Sequence, residues 1–418
     1  MKNSPDSAGS GSFIEENQPS VFWRLLDPRF TPEDWTDAIR AAAACLDGLP
    51  AVACGIEPRR LMADIVSESQ FGPDHWCLSR SKRFYYGFVR YLLPDFLRAA
   101  LRTVLLSRQR TGAVLDFPIE DRYVRFQFEV VARLMAAKRL DSISHVAFWP
   151  AGKEFGFVLT HDIETDDGQK HVRVVAALEE KYGFRSSFNF VPEKYRVDLD
   201  LIGELKKRGF EVGVHGLKHD GKSFASKATF DARAESINRY LKQWDAVGFR
   251  SPMTHRNPEW MQALEIEYDL SFFDTDPYEP MPGGTMSIWP FVMGSFVELP
   301  YTLCQDHTLM VTLAERTPRV WLDKVEFIRR HHGLALLNAH PDYLRVPGRF
   351  AIYEDFLKGM SRRTDYWHAL PRETARWWRA RAAVEIGDGA ILKTRAPEAA
   401  FDFAPGSIRL AEGGGIAL

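Results

Sequence analysis

The sequence has no run of about 18 apolar residues, so no segment is long enough to cross a bilayer as a helix. It has only four cysteines in 418 residues, Cys45, Cys54, Cys77 and Cys304. These are too few for a disulfide framework in so long a chain, and they lack the close paired spacing of a zinc ribbon. Reduced, buried thiols are expected. An excess of one charge sign is missing too: 54 Lys and Arg stand against 56 Asp and Glu, a formal net charge of −2. No basic field draws the protein onto nucleic acid, and none is expected as a partner. The N-terminus lacks an apolar stretch followed by a cleavage pattern, so no secretory signal is read there and a cytoplasmic location is expected. Residues 1–20, rich in Gly, Ser, Asn and Pro, read as a disordered tail. No repeat of 20–50 residues occurs.

What is present is an ordinary globular composition, 45% hydrophobic and 26% charged. At roughly 150 residues per domain the chain holds two to three domains, or one αβ barrel of about 250 residues with appendages. Residues 21–148 read as a mostly helical accessory region. Helices are expected at 35–46, behind a cap at Thr31, at 94–110 and at 126–139. The second places Leu97, Leu101, Val104 and Leu105 on one face and Arg98, Arg102, Arg108 and Arg110 elsewhere. Such a stretch suits either peripheral contact with an anionic membrane or, more commonly, a core-facing helix with a solvated basic side.

From Trp149 the pattern alternates. Strands are expected at 155–160, 186–191, 211–215, 246–250, 270–273, 296–299 and 334–338, with amphipathic helices between them. That rhythm means α/β architecture with parallel strands and crossover helices, either a barrel or an open doubly wound sheet. Residues 356–418 read as a C-terminal helix near 371–382 and a short β tail.

In parallel α/β folds, reactive groups gather at the C-terminal ends of strands. The first expected strand ends in Asp162-Ile163-Glu164, which an extended backbone places on one face. The third ends in His215-Gly216-Leu217-Lys218-His219, two imidazoles that one helical turn would align. Arg250-Ser251-Pro252 ends the fourth, Asp274-Thr275-Asp276 follows the fifth, and His340-Pro341-Asp342 follows the last. Singly, each has a structural explanation as a cap or a surface group. Their convergence at one end favours a divalent cation held by carboxylate and imidazole, Zn²⁺ first, with Co²⁺ or Ni²⁺ also suited.

The order of acidic motif, His-x-x-x-His, Arg-x-Pro, Asp and terminal His resembles the NodB-like polysaccharide deacetylases, over about residues 149–355. The resemblance implies a distorted (β/α)7-type barrel and a metal-dependent carbohydrate esterase removing N-acetyl groups from a sugar or glycan. It implies Asp162 as base, Glu164, His215 and His219 as metal ligands, and Arg250 as the orienting arginine. The Met253 N–H would face the oxyanion, and Asp274 would tune His340, the proton donor. Three features depart from the family pattern. Ile163 separates the two acids, so either Glu164 binds metal with Asp162 as base, which is preferred, or Asp162 binds metal and the base comes from elsewhere. Met253 stands where Tyr is usual, and no secretion signal is read. The expected role is in surface-polysaccharide biosynthesis; the competing readings are a hydrolase of small non-sugar amides and a noncatalytic carbohydrate-binding or scaffold protein. His255 is a candidate pocket residue, and Arg256 a candidate for a substrate anion or a structural ion pair. The aromatics from Phe272 to Trp289 are candidates for a sugar-facing loop or for packing under a barrel rim.

Overall fold

The computed structural model describes residues 16–49, 58–68, 71, 113–281, 283–394, 401–410 and 416–417. In chain order its strands are β1 (Ser142–Val146), β2 (Phe155–Ile163), β3 (Ser187–Phe190), β4 (Glu211–His215), β5 (Gly248–Arg250), β6 (Tyr268–Asp269) and β7 (Phe291–Met293). Then come β8 (Phe296–Glu298), β9 (Leu334–Ala339), β10 (Tyr366–His368), β11 (Val384–Gly387), β12 (Ala390–Thr394), β13 (Pro405–Leu410) and β14 (Ile416–Ala417).

Eight of these run parallel, seven in the order β9-β2-β3-β4-β5-β6-β8 and β10 beside the start of β2. Beyond β8 the chain turns back onto β9, where Leu303 bridges Leu337 and its N–H donates to Leu336 O at 3.1 Å. The sheet thus curls into an irregular (β/α)7-type barrel rather than an open doubly wound sheet. All nine residues of β2 are buried, as expected of a strand covered on both faces. The crossover helices begin where the sequence supplies caps. Thr165 accepts from Gly168 N at the head of Asp166–Lys181, and Ser226 accepts from Thr229 N at the head of Lys227–Trp244.

The expected strand at 270–273 is shorter and earlier, as β6. Ser271 turns its own N–H and hydroxyl onto the Asp269 carboxylate, at 3.0 and 2.7 Å, which draws the chain out of the ladder. Several elements escaped the pattern reading, among them three short strands of the sheets. β7 pairs antiparallel with β8, β10 pairs with the first half of β2, and β1 pairs with β13. Strands of three to five residues are too short for a period-two signal to stand out.

In the accessory region, Thr31 and Asp34 form a reciprocal capping box on Pro32–Ala42, and the expected 35–46 helix tightens to a 3-10 turn at Ala43–Leu46. The third expected helix is Arg122–Lys138. The expected helix at 94–110 lies outside the described residues, as do Cys54 and Cys77; Cys304 is buried and Cys45 half-buried. The pairing of β1 with β13 joins the accessory region to the C-terminal tail in one sheet. Arg381, 1% exposed, fastens the same junction, donating to the carbonyls of Phe22, Trp23, Val146 and Ala147 while lying over the Phe148 ring. A boundary at residue 355 would fall inside the helix Pro347–Met360. The next strand, β10, belongs to the barrel sheet, and Arg376 of the helix Pro371–Ala382 grips Glu267 at 2.7 Å.

Candidate metal centre and active site

The C-terminal ends of β2, β4, β5 and β9 bring six of the seven expected residues together. Glu164, His215 and His219 each offer one ligand atom, and these atoms lie within 4.8 Å of one another. Among the described residues this is the one such group of three. His219 Nε2 is 2.9 Å from Glu164 Oε1. His215 uses Nδ1 on the Arg250 carbonyl, 3.1 Å away, which directs Nε2 toward Glu164 at 4.0 Å. That Nε2 is buried and has no hydrogen-bond partner, an arrangement costly for a polar atom unless something binds there. Burial, only partly opposed by Asp162, pushes the His215 ring down to about 4, so it is neutral at pH 7, the form that ligates metal. One carboxylate and two imidazoles, with a position left open, fit Zn²⁺ or a related divalent ion. The carboxylate of the group is Glu164, the preferred of the two sequence assignments.

The two histidines are not aligned by a helical turn. Residues 216–219 form a bend in which Gly216 (φ 62°) and His219 (φ 52°) are left-handed, and the two rings end 5.0 Å apart. A Cβ on Gly216 would stand 2.5 Å from the Pro252 ring, in a conformation only glycine adopts freely. Gly216→Ala is therefore expected to shift the loop and weaken metal binding at least about tenfold in a chelator competition assay, the size of effect seen when groups supporting the ligands are lost. Unchanged affinity would contradict this geometry.

Asp162 lies beside the triad, 2% exposed. Asn189 donates to Oδ1 at 3.1 Å, Asn338 donates to Oδ2 at 2.9 Å, and Arg250 Nη1 lies 3.4 Å from Oδ1. Burial alone would raise its carboxyl, but Arg250, His215, His340 and the Asn338 amide together hold it well below the usual carboxylate range. Glu164 is held low in the same way, its burial outweighed by His219, His340 and His215. Arg250 is itself fixed by Nε on Leu270 O at 2.8 Å and Nη1 on Thr160 Oγ1 at 3.0 Å.

His340 Nε2 stands 3.9 Å from Asp162 Oδ2 and 4.0 Å from Glu164 Oε1. The expectation that Asp274 tunes it is corrected. Asp274 is buried against Lys324, 2.7 Å away, and burial, partly offset by that lysine, pushes it up to about 6. The acid on His340 is Asp306, whose carboxylate lies 2.7 Å from Nδ1 and also accepts the His340 backbone N–H at 2.8 Å. Burial opposes charge on the His340 ring, yet Asp306, Glu164 and Asp162 together push it up to about 10.

Sequence reading missed Asn189, Asn338 and Asp306. The two asparagines interrupt otherwise apolar strands at buried positions, a readable signal. Asp306 stands at the head of the short helical turn His307–Thr312 after β8, accepting the His307 N–H at 2.8 Å, a turn the pattern reading did not include. Several candidates fall elsewhere. Phe272, Phe273 and Trp289 are fully buried and form no sugar-facing surface, because their rings pack on Phe291, Tyr301 and Phe148. Tyr278 packs edge-on against Phe117. His255 is 3% exposed, near Phe224. Arg256 forms a buried ion pair with Glu68, the structural alternative.

No protein-family model matches this chain, and neither does any curated protein. Solved structures similar to it include a Mycobacterium smegmatis protein assigned as a polysaccharide deacetylase. That likeness has 20% identity and a TM-score of 0.47, over 56% of this chain and 92% of the other. The Puue allantoinase is similar at 13% identity and a TM-score of 0.46, over 56% and 92%. A family 4 carbohydrate esterase from Streptomyces lividans, solved with acetate, is similar at 11% identity and a TM-score of 0.33, over 50% and 91%.

Proposed function

We propose that this protein is a divalent-metal-dependent hydrolase that removes an N-acetyl group from a sugar or glycan, in the making of a surface polysaccharide. The observation that carries this reading is the Glu164–His215–His219 group with the Asp162 carboxylate and the His340 imidazole beside it, His340 Nε2 lying 3.9 Å from Asp162 and 4.0 Å from Glu164. The bound ion, with Zn²⁺ preferred, would supply Lewis-acid polarisation of the acyl carbonyl and acidify the attacking water.

The chain's own groups divide the proton work. Asp162, kept ionised by Arg250 and oriented by Asn189 and Asn338, accepts the proton of the attacking water. His340 keeps Nδ1 on Asp306, so its proton for the departing nitrogen is carried on Nε2, the atom that faces the site. Base and acid are thereby separate groups whose environments push their affinities for protons in opposite directions.

Acetate release tests the reading. Metal-loaded protein incubated with N-acetylated glycan oligomers and with nucleotide-linked N-acetyl sugars is expected to release acetate, and a chelator to abolish it. Hydrolysis of small linear or cyclic amides without acetate release from any N-acetylated sugar would replace this substrate with the amide class.

A further inference from the structure

One carboxylate of the accessory region reaches the rim of the barrel. Glu68, just beyond the helix Pro58–Val66, is fully buried and holds a left-handed backbone (φ 59°), which is uncommon outside glycine. Its two oxygens meet Arg256 Nε at 2.5 Å and Nη2 at 2.7 Å, and one also accepts the Gly284 N–H at 2.5 Å. Arg256 in turn lies 4.7 Å from the Phe273 ring centre and donates Nη1 to the Thr254 carbonyl at 2.7 Å. Thr254 (φ 53°) and Met253 (φ 58°) form a strained pair of left-handed residues directly after Pro252. That turn is the wall behind the loop bearing His219. The Pro252 ring fills the space beside Gly216, and Met253 Sδ fills the space beside Gly221.

We propose that Glu68 is a positioning residue for the metal centre, acting through Arg256 and the Met253–Thr254 turn on the loop that carries His219. The accessory region then completes the site rather than decorating the barrel. A bidentate carboxylate–guanidinium pair fixes distance and plane together, which a lone arginine on a long side chain would not do. The proposal rests on the reading that Glu164, His215 and His219 hold a metal, and its test separates the two.

The test uses the full chain with Glu68→Leu and Arg256→Met together, which removes both charges and avoids leaving one buried and unpaired. Two readouts are taken against wild type: hydrogen exchange of the 250–257 amides without metal, and Zn²⁺ affinity by chelator competition. The expected result is faster exchange at 253–256, unchanged protection of β2 and β9, and Zn²⁺ affinity lowered at least tenfold. A purely structural ion pair predicts the opposite, since the apolar pair restores packing: exchange and Zn²⁺ affinity like those of wild type would overturn the proposal. Wild type that binds no Zn²⁺ would overturn the metal reading and this proposal's consequence for it, while the exchange data still decide whether Glu68 holds the turn.

Discussion

Replacing Asp162 with asparagine is expected to lower kcat for acetate release about 10²–10⁴-fold, the span that general-base removal commands, with bound metal unchanged. The shape of the side chain is conserved, so a loss reports its charge together with the second acceptor oxygen. In the wild type two amides and a guanidinium converge on the carboxylate, each donating, and none would meet an acceptor equally well on an asparagine amide. The ligand atoms of the triad all belong to other residues, so the ion has no reason to leave. Steady-state kinetics and metal content measured on one preparation check the prediction. Loss of metal in step with activity would make Asp162 a ligand and move the base elsewhere.

Asp306→Asn is expected to have the second large effect, on both activity and stability. Asp306 is the strongest of the groups that raise the His340 ring to about 10, against its burial. Because the folded value lies above the ordinary histidine value of about 6.5, the stabilisation is fully present below about pH 6.5. It is lost as pH rises through about 10. In the metal-free protein the variant should therefore be less stable by about 3–5 kcal/mol near pH 6, the cost of stripping a buried charge of its partner. The gap should narrow toward pH 10. With neutral His340 the leaving nitrogen also loses its donor, so kcat should fall at neutral pH and recover partly in acid. Denaturant unfolding across pH, alongside a pH–rate profile, reads both. A stability gap that widens with rising pH would contradict the sign.

Much of this architecture was legible in the sequence because buried parallel strands and capped amphipathic helices leave unmistakable periods. β4 runs over the expected residues, and β2 extends its expected span through Asp162 to Ile163. The Glu164–His215–His219 group was legible for a related reason: its members sit at or just after strand ends in short motifs. What was hidden depends on chain reversals. Asp306 reaches His340 from the head of the short helical turn His307–Thr312, while Asp274, the partner implied by the family resemblance, is instead sealed against Lys324. The two histidines were expected on a helical turn, but Gly216 and the Pro252 ring impose a left-handed bend that spacing alone cannot show. The aromatics after β6 read equally well as a sugar platform or as core, and only packing separates the two.

The most direct test is divalent metal per chain, measured by elemental analysis after Zn²⁺ loading and exhaustive dialysis, for wild type, His215→Ala, Glu164→Ala and Asp162→Ala. The expected result is about one ion per chain in wild type and in Asp162→Ala, with none retained in His215→Ala or Glu164→Ala. A wild type that holds no ion, or a Glu164→Ala variant that keeps it while Asp162→Ala loses it, would contradict the metal centre described here.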